Sequence, residues 1–547
     1  MSELNIQQEI SNKSIVCCLI GIIFIGLIIR FFYFPYEIPV SLDSSYYFSY
    51  AYELAKIGEF PNFHLANNGW PTFLALFFKM LSVGEFQQFI DLQRAVSIIL
   101  SVITIIPMYF LCRKFFPKII SIIGGALFIL EPRVISNSIL GITEPFFNLL
   151  IITSLVIFFS KKNLIYFSFA ILALAVIVRY EGILLIIPYS IMFFVKFRKN
   201  RKIIIKYLLC IGIFILILYP MMMIRTETMG ADGVFSHVSG AMNAIFKHSI
   251  QGVPHETPNV KDFPGERNTF RLHNFLGDAF SSMFFSLGLI QIPIFILFFP
   301  LGIFFVLRKD RIKNMNYKHV TLILFVVFAS LTMLYAHGRG IMEIRYYLIL
   351  YPIIILICCY GIEKIKNKIP SKILLGLILS FIIIVTFSYL EYDKIDYEFE
   401  KEAFEITSIA INMSDRINAG SLHGGYITTA SMIEKWPELK KMDAAKNKKI
   451  SPVTICKDSL SPPLSAIVCK MGSSSLHEFI IQHKKDGLDH IVVDNLEHGP
   501  EFIQDVFYNE EKYPYLDKVF DSKAEGYTYY VKIFKINFEE FEEIIEK

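Results

Sequence analysis

The chain has 547 residues, of which 54% are hydrophobic and 52 are phenylalanines, and its formal net charge is +4. Soluble domains average about 45–50% apolar residues, so this composition excludes an ordinary soluble protein. The small net charge gives no indication of a nucleic-acid partner, and we expect none.

Apolar runs long enough to cross a membrane recur over residues 14–390. A transmembrane helix needs about 20 predominantly apolar residues, with tolerance to about 17. The runs predict eleven spans, at residues 14–34, 92–112, 117–132, 143–160, 163–178, 181–198, 203–224, 282–307, 318–337, 345–363 and 371–390. The predicted fold class is therefore mainly α, a polytopic helix bundle in a lipid bilayer. The further apolar segment Gly69–Leu81 is too short to cross and is predicted to be an interfacial or re-entrant helix.

Positive charge concentrates in the loops on one side of these spans. The loops that share a side with the N-terminus carry most of the lysines and arginines, within residues 113–118, 161–162, 196–206, 308–318 and 364–372. The short loops on the other side carry only Arg133, Arg179, Arg339 and Arg345. Cytoplasmic loops are enriched in Lys and Arg, so the N-terminus is predicted to be cytoplasmic. The expected location is the plasma membrane, with the first span retained as an anchor.

The change from apolar to polar sequence near residue 390 predicts two domains. Residues 1–390 form the membrane domain, with predicted external loops at 35–91 and 225–281. Residues 391–547 are predicted to form a small extracytoplasmic α/β domain, since the segment 476–485 has a helical pattern and both 490–494 and 527–536 have the composition of strands.

Two cysteines, Cys456 and Cys469, lie in the predicted external tail. An extracytoplasmic compartment permits disulfides, and we predict that these two form one, with a pair of free thiols as the alternative.

Asp43 stands just beyond the first span, in an otherwise uncharged stretch. A carboxylate is costly near lipid unless it has a function. Other charged residues fall in short loops on the same predicted side: Glu131, Arg133, Glu144, Arg179, Glu181, Arg339, Glu343 and Arg345.

These two kinds of charge favour one type of chemistry. A carboxylate can act as general base on a hydroxyl, and arginines bind phosphate with bidentate geometry. Together they suit the transfer of a group from a phosphate leaving group to a hydroxyl at the membrane surface. The alternative is that they are solvated charges at helix ends.

The loop 225–281 contains four histidines and several acids, which makes a metal site conceivable. Their spacing matches no known ligand motif, so we favour loop histidines without a metal.

Several short motifs occur in order along residues 15–390. They are Arg30, Asp43 followed by Tyr46-Tyr47, Gly69-Trp-Pro-Thr-Phe-Leu, Arg94, Thr143-Glu-Pro-Phe-Phe, Arg179-Tyr-Glu-Gly and Arg345-Tyr-Tyr-Leu-Ile-Leu-Tyr-Pro. In their order and common sidedness they resemble the GT-C superfamily of polyprenyl-phosphate-sugar-dependent membrane glycosyltransferases, notably the protein O-mannosyltransferases and the lipid A aminoarabinose transferases.

The resemblance implies transfer of one sugar from a polyprenyl-phosphate donor to a hydroxyl acceptor, a protein, lipid or glycan, with inversion at the anomeric carbon. Asp43 would be the catalytic base and Glu144 its only helper. Arg345, with Arg339 or Arg179, would bind the donor phosphate. The mannosyltransferase-like branch uses no catalytic metal, so no cofactor is expected, with a divalent metal as the alternative.

The chain departs from the family pattern at two places. Many members carry Asp-Glu where this chain has Asp43-Ser44. The oligosaccharyltransferases of the superfamily carry a Trp-Trp-Asp motif, but the two tryptophans here, Trp70 and Trp436, are not adjacent. Oligosaccharide transfer is therefore the alternative rather than the first expectation. A transporter or a non-catalytic protein of the same topology is the other alternative.

Overall fold

The computed structural model describes residues 11–545 apart from 63–64, 66, 82–83, 161–163, 237–238, 240–271, 309–314, 339–340, 367–368, 419–421, 423–424, 435, 438–467, 470–472 and 496–499. The described chain is predominantly helical, with short strands confined to its last third. Its α-helices are α1 (Asn12–Phe32), α2 (Asp43–Ile57), α3 (Gly69–Leu81), α4 (Phe86–Ile103), α5 (Ile105–Cys112), α6 (Lys118–Ile129), α7 (Pro132–Ile139), α8 (Glu144–Phe158), α9 (Ile165–Val178), α10 (Ile186–Phe197), α11 (Ile203–Met229), α12 (Leu272–Leu289), α13 (Phe299–Val306), α14 (Tyr317–Gly338), α15 (Tyr351–Lys366), α16 (Ser371–Tyr392), α17 (Tyr397–Met413), α18 (Ile427–Glu434), α19 (Leu476–Lys484), α20 (Glu501–Tyr508) and α21 (Phe538–Ile545). The strands are β1 (Ile417–Asn418), β2 (Val468–Cys469), β3 (His490–Asp494), β4 (Leu516–Asp521) and β5 (Val531–Ile536).

The prediction of a polytopic membrane helix bundle is confirmed. Within the described residues, seven helical stretches are long and apolar enough to cross a membrane, and the pair α6 and α7, bent by 47°, would make an eighth. The other predicted spans correspond to shorter helices. Helices α8 and α9 have 15 and 14 residues, and the predicted span 282–307 is divided between α12 and α13. Pro293, which has no backbone N–H, lies in that interruption.

The chain forms two compact units, which we describe separately. The first comprises Met1–Phe34, Ala66–Trp70 and Ala95–Asp393 and contains most of the apolar helices. Its helices approach closely at small residues. A Cβ atom on Gly302 of α13 would overlap the carbonyl oxygen of Ile357 in α15, and one on Gly361 would lie 2.9 Å from the carbonyl oxygen of Phe298. Small residues of this kind allow helix backbones to pack tightly in a membrane.

The substitution Gly302→Ala should destabilise the protein by about 1–3 kcal/mol, because the added methyl group forces α13 away from α15. The matched control is Gly212→Ala on α11, where a new Cβ would meet no atom within 4 Å. Unfolding of both purified variants by titration with sodium dodecyl sulfate measures the difference. Equal stability of the two variants would contradict the close packing of α13 on α15.

The second unit comprises Pro35–Leu65, Pro71–Arg94 and Lys394–Lys547. It contains a three-stranded antiparallel sheet in the order β3-β5-β4 and a two-residue parallel pair of β1 with β2. Alternate residues of β5 enter two cores: Ile533 packs with Ala403 and Ile406 of α17, while Phe534 packs with Phe479 and Ile480 of α19. The predicted α/β character of the C-terminal region is therefore confirmed.

Part of the predicted first external loop belongs to this second unit. Ile38 is buried in the same core as α17. Trp436 lies in an aromatic cluster with Phe48 and Tyr52 of α2 and with Phe86 and Phe89 of α4. The proposed pairing of Cys456 with Cys469 stays a prediction, because Cys456 lies outside the described residues.

Candidate active site

Glu144 is the first residue of α8 and is only 3% exposed. Its side chain is held at both oxygens. Arg179 donates from Nη1 to Oε1, and the Thr143 hydroxyl donates to Oε2 at 3.1 Å. A carboxylate at a helix N-terminus is further stabilised by the helix dipole. The structure thus fixes Glu144 as an oriented carboxylate with an opposite charge in contact.

Arg179 lies where α9 ends and a short 3-10 helix, Tyr180–Leu185, begins. Besides Glu144, it contacts Glu181, to which Nη2 donates at 2.7 Å. It also donates from Nη1 to the Thr143 hydroxyl at 3.1 Å. Its side chain is 8% exposed. Because its charge is shared between two carboxylates, Arg179 is better suited to position Glu144 than to bind a phosphate.

Tyr346 connects Arg179 with Arg345. The guanidinium carbon of Arg179 lies 5.6 Å from the centre of the Tyr346 ring, and that of Arg345 lies 5.9 Å from it. Both distances are typical of cation–π contacts. The side chain of Arg345 is 27% exposed, and its Nε lies 3.4 Å from Glu343. Of the two arginines, Arg345 is therefore the more accessible to an anionic ligand.

Three predicted site residues, Glu144, Arg179 and Arg345, thus come together in the first unit. We did not predict a role for Tyr346. The sequence signal was its place in the Arg345-Tyr-Tyr motif, but the motif does not show that the ring contacts two guanidinium groups.

The segment 67–70 is held beside this cluster by hydrogen bonds and close packing. The side-chain oxygen of Asn67 accepts a hydrogen bond from the backbone N–H of Tyr180 at 3.3 Å. A Cβ on Gly69 would overlap the carbonyl oxygen of Ile177. Trp70 is fully buried and donates from Nε1 to the carbonyl oxygen of Gly141 at 3.1 Å. The Gly-Trp pair therefore fixes the chain next to the loop that carries Glu144.

A very small cavity lies one helical turn beyond Glu144. Its volume is about 10 Å³, and it is bordered by four apolar residues and by the polar Ser101, Thr104, Asn137 and Asn148. The side-chain oxygens of Asn137 and Asn148 are buried and have no hydrogen-bond partner among the described residues. Neither asparagine could be selected from the sequence alone.

Asp43 lies in the second unit, at the first residue of α2. The residue before it, Leu42, has a φ of 49°, which side chains other than glycine rarely adopt. The backbone before Leu42 is held by Arg94, which donates from Nη1 to the carbonyl oxygen of Ile38 at 2.6 Å. On the other side, Gln93 donates to the Ser44 hydroxyl at 2.9 Å. The position of the half-buried Asp43 carboxylate is therefore set by a turn whose backbone is constrained on both sides.

Tyr46 is one turn after Asp43. Burial raises the pKa of its phenol to about 12, an increase that a hydrogen bond with Thr428 moderates and the charge of Asp43 reinforces. Tyr46 therefore keeps its proton at neutral pH.

Other residues singled out from the sequence have different outcomes. Glu131 caps α7 by accepting from the backbone N–H of Val134 at 2.9 Å, and it pairs with Arg133 at 3.3 Å, so its contacts are structural. Arg339 and most of the 225–281 loop lie outside the described residues. Among the described residues, no three His, Cys, Asp or Glu side chains are placed to hold a metal ion.

Comparison with known proteins gives matches only at the level of structure. No family model and no curated protein matches the chain. The oligosaccharyltransferase of Archaeoglobus fulgidus in the apo form is 11% identical, with 88% of this chain and 70% of that chain covered and a TM-score of 0.52. ArnT, the aminoarabinose transferase from Cupriavidus metallidurans, crystallised with undecaprenyl phosphate, is 10% identical, with 96% and 98% covered and a TM-score of 0.53.

The chain shares the fold of these two proteins. In its apo state, ArnT from the same organism gives a TM-score of 0.54 at 9% identity, with 95% of this chain and 98% of that chain covered. At such low identity the match establishes a shared fold and leaves the roles of individual residues to be argued from this structure.

The substitution Arg179→Met should destabilise the protein by about 3–5 kcal/mol, because it leaves the buried carboxylate of Glu144 without its counter-charge. The double variant Arg179→Met/Glu144→Gln should recover part of that loss. Unfolding titrations of these two variants, of Glu144→Gln and of the unmodified protein form a double-mutant cycle that measures the coupling between the two residues.

The control is Arg345→Met, which removes an arginine whose contact with Glu343 is partly exposed. It should cost less than about 1 kcal/mol. If the destabilisation of Arg179→Met/Glu144→Gln equals the sum of the destabilisations of Arg179→Met and Glu144→Gln, the two residues are not coupled.

Proposed function

We propose that this protein is a membrane glycosyltransferase that transfers a sugar from a polyprenyl-phosphate donor to a hydroxyl acceptor. The observation that carries the proposal is the cluster of Glu144, Arg179, Tyr346 and Arg345 within a GT-C fold. Two proteins of that fold support the choice of donor. ArnT was crystallised with undecaprenyl phosphate, and AglB from Archaeoglobus fulgidus, at 11% identity and a TM-score of 0.50, with an inhibitory peptide and a dolichol-phosphate.

The proposed reaction is a single displacement at the anomeric carbon. Asp43 removes the proton from the acceptor hydroxyl. The resulting oxygen nucleophile bonds to the anomeric carbon on the face opposite the phosphate, and the bond from that carbon to the phosphate oxygen breaks. The phosphate leaves with the bonding electron pair, so the configuration inverts. Arg345, with Arg339 as its proposed partner, stabilises the charge on the departing phosphate.

Glu144 has a supporting role in this proposal, as a carboxylate that Arg179 orients. Because Arg179 bonds to both Glu144 and Glu181 and occupies their oxygens, these acids are poor candidates for ligands of a divalent metal, and we propose that transfer needs none. The proposed enzyme lies in the plasma membrane with a cytoplasmic N-terminus and an extracytoplasmic C-terminal domain, and transfers a hexosyl or pentosyl group on the external face.

The second candidate function is transfer of an oligosaccharide to a peptide, as in the similarly folded oligosaccharyltransferase. The fold match favours it. The donor separates the two: a purified protein that consumes only lipid-linked oligosaccharides and no single-sugar polyprenyl phosphate would favour this second function.

The substitution Asp43→Asn should lower the transfer rate by about 100-fold or more while the protein folds normally, because an amide cannot accept the hydroxyl proton. Donor consumption is measured with purified protein in lipid and a panel of polyprenyl-phosphate sugars. The matched control is Asp91→Asn, which alters an acid of α4 that accepts a hydrogen bond from Gln87 at 2.9 Å. Full activity of Asp43→Asn would rule out Asp43 as the base.

Treatment with EDTA should leave most of the transfer activity, because no step of the proposed reaction passes through a metal. The oligosaccharyltransferase of Archaeoglobus fulgidus has also been crystallised with Zn and sulfate, at 12% identity and a TM-score of 0.50, which makes the experiment informative. The activity of treated protein is compared before and after addition of Zn²⁺, Mn²⁺ or Mg²⁺. Loss on treatment and recovery with one metal would contradict the proposed chemistry.

A further inference from the structure

The connection between α10 and α11 surrounds a cavity lined by cationic side chains. The cavity has a volume of about 470 Å³ and is bordered by residues 195–201, among them Lys196, Arg198, Lys199 and Arg201. Lys202 follows directly. The last four of these cations are exposed, so their charged groups are accessible from solution.

Nearby acids do not neutralise this loop. The sequence contains no Asp or Glu between Gly182 and Thr226, a stretch that includes the whole connection. Within the described parts of the chain, neither Arg198, Lys199, Arg201 nor Lys202 forms an ion pair. The loop is therefore a concentrated positive charge that is available to an anionic ligand.

Lys196 differs from its neighbours, since its ammonium group already has partners. It donates to the carbonyl oxygens of Phe158 and of Ser160, the latter at 3.1 Å. It also lies 5.5 Å from the centre of the Phe197 ring. Lys196 thus fixes the end of α10, and the remaining cations are the ones available for binding.

The helices on either side of the loop present apolar side chains outward. Phe194 and Val195 on α10 are 40% and 45% exposed, and Ile204 and Leu208 on α11 are 65% and 62% exposed. Only 17% of the most apolar 18-residue stretch of α11 is buried inside the protein. In a membrane bundle, such surfaces contact lipid chains. The cationic cavity therefore lies at the end of a lipid-facing surface.

We propose that this loop binds the phosphate headgroup of an anionic phospholipid, whose acyl chains lie along α10 and α11. Arginine fits phosphate with bidentate geometry, and basic clusters at the end of a membrane span attract anionic lipids. The apolar flanks favour a lipid over a soluble phosphate, because they provide a surface for chains that a soluble ion does not have.

This site is separate from the proposed donor site. Arg179 precedes the helical stretch Tyr180–Phe197, and the cationic loop follows it. Its 6 residues of 3-10 helix and 12 residues of α-helix are together about 30 Å long, which is close to the thickness of the hydrocarbon core of a membrane. The proposed lipid therefore lies in the opposite leaflet from the Glu144 cluster, and the inference holds whether or not the protein transfers a sugar.

The experiment measures the lipids retained by the purified full-length protein, using native mass spectrometry during titration with phosphatidylglycerol or phosphatidylcholine. The unmodified protein should retain phosphatidylglycerol selectively. The triple variant Arg198→Gln/Lys199→Gln/Arg201→Gln should lose that retention by about tenfold or more, since each cation near an anionic surface contributes about a fivefold factor. The charge-preserving variant Arg198→Lys/Arg201→Lys should keep most of it, which excludes loss through misfolding.

The matched control removes the same charge elsewhere on the predicted cytoplasmic side, as Lys13→Gln/Lys118→Gln/Lys372→Gln, and should retain the lipid. Equal losses in both triple variants would show attraction by net charge alone and overturn the proposed site. Retention of phosphatidylcholine at the same level would also overturn it. Displacement of phosphatidylglycerol by inorganic phosphate would show that the loop binds a soluble anion instead.

Discussion

The contact between Glu144 and Arg179 is the interaction on which the candidate site depends. It joins the first residue of α8 to the end of α9, which are neighbouring helices in the bundle. A buried carboxylate beside an arginine is stable only while both are present, since either charge alone is costly in a dry environment. The same arginine also bonds to Thr143 and Glu181 and contacts Tyr346, so one side chain determines the geometry of three loops.

The arrangement distinguishes two kinds of arginine that the sequence could not separate. Arg179 directly follows one predicted span and Arg345 opens another, and both lie on the predicted external side. In the structure Arg179 is almost fully buried and paired with two carboxylates, whereas Arg345 is partly exposed beside Glu343. Burial and pairing arise from tertiary contacts between residues that are distant in sequence, which explains why a charge pattern predicts the side of the membrane but not the partner.

Much of the fold was predictable because membrane helices are set by the length of their apolar runs. The breaks were harder, since Pro293 interrupts a run that is otherwise continuous in hydrophobicity. Strand β4 was missed because Leu516–Asp521 carries charged residues at an exposed edge, which hides the alternation that strands usually show.

The candidate site was only partly predictable. Glu144, Arg179 and Arg345 were selected because they share one predicted side of the membrane, whereas Tyr346 and the two asparagines required the packed structure. The grouping of Asp43 with the C-terminal residues was also not readable from sequence, because Arg94 and Gln93 hold its turn from another helix.

The chain has only two tryptophans, and each belongs to a different compact unit. Trp70 is fully buried, with its indole N–H on the carbonyl oxygen of Gly141, and Trp436 lies among the aromatic rings of α2 and α4. Tryptophan fluorescence therefore contains one signal from each unit. Replacing either tryptophan by phenylalanine leaves only the fluorescence of the other. The unfolding of the first unit and that of the second unit can therefore be followed separately without an added label.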